Sequence, residues 1–133
     1  MRYLLDANAI SAIVAEPRGP VARRLAEVGE VNVFTSVIVR AEILFGLKKR
    51  ASAELTRKVG NVLSRLYIAS FDPPADSHYA DIRLDLKLRG EPIGANDLWI
   101  AAHAMALDAV LVSDNEREFS RVAGLKLENW LRR

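Results

Sequence analysis

Asn96-Asp97-Leu98-Trp99-Ile100-Ala101-Ala102-His103-Ala104-Met105-Ala106-Leu107, then Asp108, then Ala109-Val110-Leu111-Val112 and Ser113-Asp114-Asn115, is the stretch that decides the fold. Behind one acid the first segment is almost continuously apolar, which predicts a buried helix. The second is a short apolar run bounded by turn residues, which predicts a strand. The same alternation continues on both sides. Tyr3-Leu4-Leu5 is a short run ending at an acid, and from Ala7 to Glu16 the residues Ala9, Ile10, Ile13 and Val14 share a helical face until Pro17 stops it. Pro20 suits the first turn of a helix over 21–28, with Gly29 as its stop. Val31-Asn32-Val33-Phe34-Thr35 predicts a second strand. Ser36 caps a long helix to about Arg50, and Ser52 caps another carrying Leu55, Val59, Val62 and Leu66. Tyr67 to Phe71 predicts a third strand. Asp72-Pro73-Pro74 opens a helix to Gly90 with Tyr79, Ile82 and Leu86 inward, and 125–128 is a candidate fifth strand. Strands alternating with helices through short loops predict one α/β domain over 1–133, a parallel sheet of four to five strands covered on both faces.

Composition narrows the function classes. The chain has 133 residues, 19 Lys+Arg against 17 Asp+Glu, and no cysteine. Disulfides, a thiolate nucleophile and a thiolate zinc site are therefore excluded. A net charge of +2 is slight support for a nucleic-acid partner. No signal peptide and no bilayer-length apolar run is present, so a soluble cytoplasmic protein without a membrane role is expected. Gly-x-x-x-x-Gly-Lys-Ser/Thr, Gly-x-Gly-x-x-Gly and Gly-x-Ser-x-Gly runs are all missing, which argues against an NTPase loop, a dinucleotide site and a hydrolase elbow.

In a parallel sheet, ligands bind beyond the carboxyl ends of the strands. Asp6 follows the first strand directly, where it reads equally as a helix cap. Glu42 has Ile38, Val39 and Phe45 as helical neighbours, so it either is a functional carboxylate on an apolar face or reaches water, Arg40 or a nearby Lys. Asp97 opens the apolar helix, where a first-turn acid also suits the helix dipole. Asp114-Asn115 follows the fourth strand in ordinary turn chemistry. The topology gathers all of them at one end of the sheet. Carboxylates that close repel one another unless a cation neutralises them, and oxygen ligands without His or Cys suit Mg²⁺ or Mn²⁺. Such a site fits metal-dependent phosphodiester hydrolysis. His78 reads as a surface residue and His103 as a core residue. Arg83, Lys87 and Arg89 recur at helical spacing ahead of Asp97, in position to hold phosphates.

The chain also resembles a known family. Asp6-Ala7-Asn8 is similar to the D-x-N opening of PIN-domain proteins, and Ser36 with Glu42 to their next segment. Gly90-Glu91-Pro92-Ile93-Gly94-Ala95-Asn96-Asp97 with Ile100-Ala101-Ala102 resembles the G-x-P-I-G-x-x-D-x-x-I-A stretch of VapC toxins. Ser113-Asp114-Asn115, Arg117-Glu118-Phe119, Gly124-Leu125 and Asn129-Trp130 resemble their C-terminal segment. The resemblance implies a PIN-like three-layer α/β/α fold and an Mg²⁺- or Mn²⁺-dependent endoribonuclease toxin. It further implies a homodimer within a larger assembly, held by a VapB-type antitoxin whose tail enters the acidic groove and which alone brings operator DNA. Asp6, Glu42 and Asp97 match the family's first three acids, and the fourth position falls on Asn115. On this reading Asp6 and Asp97 ligate metal, and Glu42 completes the shell or orients water. Asn115 or Asp114 serves the fourth place, while Asn8, Ser36 and Ser113 support by hydrogen bonds. A non-catalytic module acting within a DNA-bound complex, and a DNA-directed metal nuclease, are the competing readings.

Overall fold

The computed structural model describes residues 1–132. Five strands, β1 (Tyr3–Leu5), β2 (Val33–Ser36), β3 (Tyr67–Ala69), β4 (Val110–Val112) and β5 (Leu127–Glu128), form one sheet in the order β3-β2-β1-β4-β5. All four pairings are parallel, with Tyr3 opposite both Val33 and Val110. The helices among the described residues are α1 (Ala7–Ala15), α2 (Pro20–Val28), α3 (Val37–Arg50), α4 (Ala53–Ser64), α5 (Ala75–Arg89), α6 (Ala95–Ala106) and the short α7 (Glu116–Phe119). The expected α/β architecture with a parallel sheet is thus borne out. Successive side chains of a strand point to opposite faces, and every residue of β2 and β4 is buried, so helices cover both faces. On one side α1 packs with α2 and α4; elsewhere α5 packs along α6. In that second seam Tyr79 stacks on Trp99 with ring centroids 3.6 Å apart.

Two strand boundaries differ from expectation. Val31 lies in a single 3-10 turn (Glu30–Asn32) and is 93% exposed. Gly29, at φ +94, turns the chain there, and the Asn32 amide donates back to the Val28 carbonyl at 2.7 Å. The third strand ends at Ala69 rather than Phe71. The Ser70 carbonyl is taken by His103 Nε2 at 3.0 Å, and the Phe71 ring meets Trp99 and His103 edge-on.

His103 is the buried core residue the apolar helix predicted, fully enclosed and paired at both nitrogens. A carbonyl only accepts, so Nε2 must donate to Ser70, and Nδ1 then accepts from the Ser36 hydroxyl at 2.8 Å. Burial holds its pKa below the ordinary 6.5, in keeping with this neutral tautomer. The same Ser36 oxygen accepts from Ile38 N at 3.0 Å as the cap of α3. His103 therefore ties α6 to the ends of β2 and β3. His103→Phe leaves the Ser70 carbonyl unpaired and strips Ser36 of its acceptor. It should cost about 2–3 kcal/mol in urea unfolding; a loss under about 0.5 kcal/mol would show that these bonds are not what holds the elements together.

The strand order fixes where a site can form. From β1 the chain builds outward through β2 and β3 on one side, and β4 and β5 lie on the other. The order reverses between β1 and β4, and in a parallel sheet such a reversal is where ligands bind, beyond the carboxyl ends of the strands. Asp6 and Ser113 are the first residues past those two strands.

Candidate active site

Asp6 is 5% exposed. Its backbone N–H donates to the Val112 carbonyl at 2.9 Å, which locks it beside β4. One carboxylate oxygen accepts from Ala7 N at 2.9 Å and caps α1, while the other accepts from the Ser113 hydroxyl at 2.7 Å. Capping and placing the carboxylate are one arrangement here. Asn8 Nδ2 reaches Asp6 at 3.3 Å and the Ser113 oxygen at 3.1 Å, and its own oxygen accepts from Asp114 N at 3.1 Å. Burial pushes the Asp6 pKa above 3.8, against the pull of the Ser113 and Ala7 hydrogen bonds.

Asp97 sits in the first turn of α6. Its Oδ2 accepts from the Asn115 amide at 2.8 Å; the same nitrogen reaches Glu118 at 2.9 Å, and Glu118 accepts from Gly94 N at 2.8 Å. Burial, a hydrogen bond with Glu118 and the charges of Asp6, Glu118 and Glu42 push Asp97 up to about 7. Glu118 is held below its ordinary range by Asn115, Asp97 and the Gly94 N–H. Of this pair the more enclosed Asp97 carries the shared proton near neutral pH.

Glu42 reaches the same group from α3. Burial and the charge of Asp6 raise its pKa, against a hydrogen bond from Asn96. Its Oε1 is buried and has no hydrogen-bond partner. No ion pair with Arg40 or a Lys forms among the described residues. Glu42 and Asp97 line one open groove of about 740 Å³ together with Ile38, Phe45, Gly94 and Asn96.

Several expected residues lie elsewhere. Ser36 bonds His103 and the α3 backbone, not a carboxylate, because its hydroxyl is enclosed in the core. Arg89 is fastened to Asp85 at 2.8 Å, to Glu91 at 2.9 Å and to the Arg121 carbonyl, so its charge is already spent. Arg83 donates to the Tyr79 hydroxyl at 3.0 Å on the exposed side of α5. Asp114 is exposed, and Asn115 takes the place between Asp97 and Glu118. Glu118 is a further site acid that the pattern of the chain does not mark, beyond its membership in Arg117-Glu118-Phe119. The neighbouring Phe119, fully buried, anchors α7 and so aims Glu118 inward.

Among the described residues no three Asp, Glu or His side chains are gathered into a ready-made ligand set. Mg²⁺ does not need one, since it is usually held by one or two carboxylates with waters and substrate phosphates. Burial raises Asp6, Glu42 and Asp97, and repulsion adds to it, from Asp6 on Glu42 and from Asp6, Glu118 and Glu42 on Asp97; with an all-oxygen donor set and an unpartnered buried Glu42 oxygen, these groups fit a hard divalent cation.

Crevice, helix-borne acids and sheet order define a protein class, and the comparisons agree. The model of the PIN domain matches residues 3–125. Ribonuclease VapC2 of Haemophilus influenzae is 36% identical, covering 98% of this chain and 99% of that protein. The tRNA(fMet)-specific endonuclease VapC of Shigella flexneri is 29% identical over 98% of each. The crystal structure of VapBC2 from Rickettsia felis, bound to a DNA fragment from its promoter, superposes with a TM-score of 0.89 at 36% identity, covering 98% of this chain and 99% of that one. The chain belongs to the PIN domain family, among its VapC-type members. No helix of the described residues is long and apolar enough to cross a membrane.

Proposed function

We propose that this chain is an endoribonuclease working with Mg²⁺ or Mn²⁺, the toxin of a toxin–antitoxin pair in the cytoplasm. The observation that carries the reading is that the charges of Asp6, Glu118 and Glu42 all act on Asp97 past β1 and β4, and that one buried Glu42 oxygen has no hydrogen-bond partner. The ribonuclease and tRNA endonuclease relatives support RNA as the substrate. Asp6 and Asp97 would hold the cation, with Glu42 completing the shell or orienting water. A divalent cation there supplies positive charge for the phosphate oxygens and eases deprotonation of water. Ser113, Asn8 and Asn115 fix the rotamers of Asp6 and Asp97. Asp114, beside them, adds negative charge that Asp6 feels. Because Asp97 must shed its proton to ligate, cation affinity should rise with pH.

The partner reading rests on the VapBC relatives and on an apolar groove of about 850 Å³ between α1, α2 and α4, lined by Ile13, Val14, Leu25, Val62 and Leu66. It accepts the apolar face of a helix. A second groove shares Val14 with it and leads past Ile43 to Glu42. A VapB-type antitoxin seated in the first would reach the carboxylates through the second, and operator DNA would be bound through that antitoxin. Leu84 and Leu88, exposed on α5, suit self-association as a homodimer.

Mapping RNA ends after brief expression tests the reading, with purified chain and Mn²⁺ as the parallel. New 5′ ends in cellular RNA are expected. Cleavage of DNA instead would make it a DNA-directed nuclease, and no cleavage with harmless expression would leave a binding module. EDTA should abolish cleavage and excess Mn²⁺ restore it; activity that survives EDTA removes the metal mechanism.

A further inference from the structure

Helix α3 does more than carry Glu42. Residues three to four apart share a helix face, so Glu42, Phe45 and Lys49 form one stripe leading away from the acidic site. Along the axis it spans about 10 Å, seven residues at 1.5 Å. Phe45 is 68% exposed, an unusual position for the largest apolar side chain of a helix that elsewhere buries Val39 and Leu47. It lines the same groove as Glu42 and Asp97. The Lys49 ammonium lies 6.0 Å from its ring centroid. Among the described residues no ion pair engages Lys48, Lys49 or Arg50, whereas Arg65, Arg89 and Lys126 are all paired with acids. An aromatic face followed by free cations, leading out of a groove whose other end is acidic, matches the parts of one polymer. A base has a π-face to stack, the adjoining backbone has a negative charge to neutralise, and the scissile phosphate sits with the cation.

The geometry points to α3 as the subsite for the nucleotide next to the scissile phosphate, its base stacked on Phe45 and its flanking phosphate held by Lys49. The occupant is single-stranded RNA, since a paired base would have no free face to present; the inference rests on the ribonuclease reading and deepens it. A second copy of the chain is the competing occupant of Phe45.

The experiment is fluorescence anisotropy with a labelled, mixed-sequence, single-stranded 12-mer RNA on the full chain in Ca²⁺. Cleavage under Mn²⁺ and sedimentation are followed in parallel. Phe45→Ala and Phe45→Leu should each weaken RNA binding about tenfold, while Phe45→Trp should stay within about twofold, because stacking needs a ring and not mere apolarity. Lys49→Ala should lower the slope of log affinity against log salt by about one phosphate contact. Equal binding by Phe45→Ala and the unaltered chain overturns the subsite, as does equal recovery by Phe45→Leu and Phe45→Trp. Conversion of a dimer to monomers by Phe45→Ala with RNA affinity intact assigns the ring to self-association. The two readings fail differently. RNA binding that depends on Phe45 without cleavage in Mn²⁺ keeps the subsite and sinks the ribonuclease. Cleavage indifferent to every Phe45 variant does the reverse.

Discussion

Asp6→Asn should lower RNA cleavage by roughly a thousandfold or more while leaving the fold standing. Asn is as good a helix cap as Asp, so the bond from Ala7 N survives the change. What is lost is a charge, and several kcal/mol of transition-state stabilisation depend on holding a cation at a reacting phosphate. The Ser113 hydroxyl already accepts from Asn8 and Asn115 N, which fills both lone pairs, so it must give up one of those bonds to accept from the new amide. That local cost should be offset by removing a carboxylate whose burial disfavours ionisation. Circular dichroism and the melting temperature should therefore stay near those of the unaltered chain, and growth arrest on expression should vanish. Cleavage within about tenfold of normal would remove Asp6 from the proposed cation site.

Asp97→Asn should show the opposite sign in two assays, with activity lost by a similar factor and stability gained. Burial and neighbouring acids raise the folded-state pKa of Asp97 from 3.8 to about 7. Between those values the folded chain keeps a proton that the unfolded chain has released, so stability falls as pH rises through this window. At pH 8 in EDTA the full penalty is present. Because the carboxyl is partly solvated, the amide should recover only about 1–2 kcal/mol, or about 3–8 °C in Tm. Asn115 and Glu118 remain as its partners. Melting curves at pH 5 and pH 8 check it: the gain should be large at pH 8 and small at pH 5. A variant that melts lower than the unaltered chain at pH 8 would mean that Asp97 is a stabilising acid and not part of a repelling cluster.

The parts of this site that could be read from the chain are those where polar chemistry interrupts an apolar pattern. Asp6 stands against a strand, Glu42 on an apolar helix face, Asp97 ahead of an apolar helix; each marks a charge carried to the edge of the core. Glu118 lies in the polar run 114–118, where no periodicity distinguishes an inward side chain from an outward one. Its role depends on Gly94, 24 residues away. Ser36 was legible as a helix cap but not as the partner of His103, because a contact 67 residues apart leaves no local mark. Arg89 differs. Its pairing with Asp85 one turn earlier was present in the i, i+4 spacing, where the acid lies closer to the guanidinium than the site does. The alternation of strands and helices fixed the sheet type. Its order had to come from packing, and the 2-residue β5 was legible only as a candidate.

The reversal of strand order between β1 and β4 has a consequence in time. Synthesis runs from the N-terminus, so Asp6, Glu42 and Asp97 are all made before β4 exists. The backbone bond that fixes Asp6 goes to Val112, and Ser113, Asn115 and Glu118 follow later still. A growing chain thus carries its acids unassembled, and the groove is completed only when the segment from β4 (Val110–Val112) onward docks. If the chain is the ribonuclease proposed above, that order would leave the nascent chain without an assembled site while the ribosome is still making it.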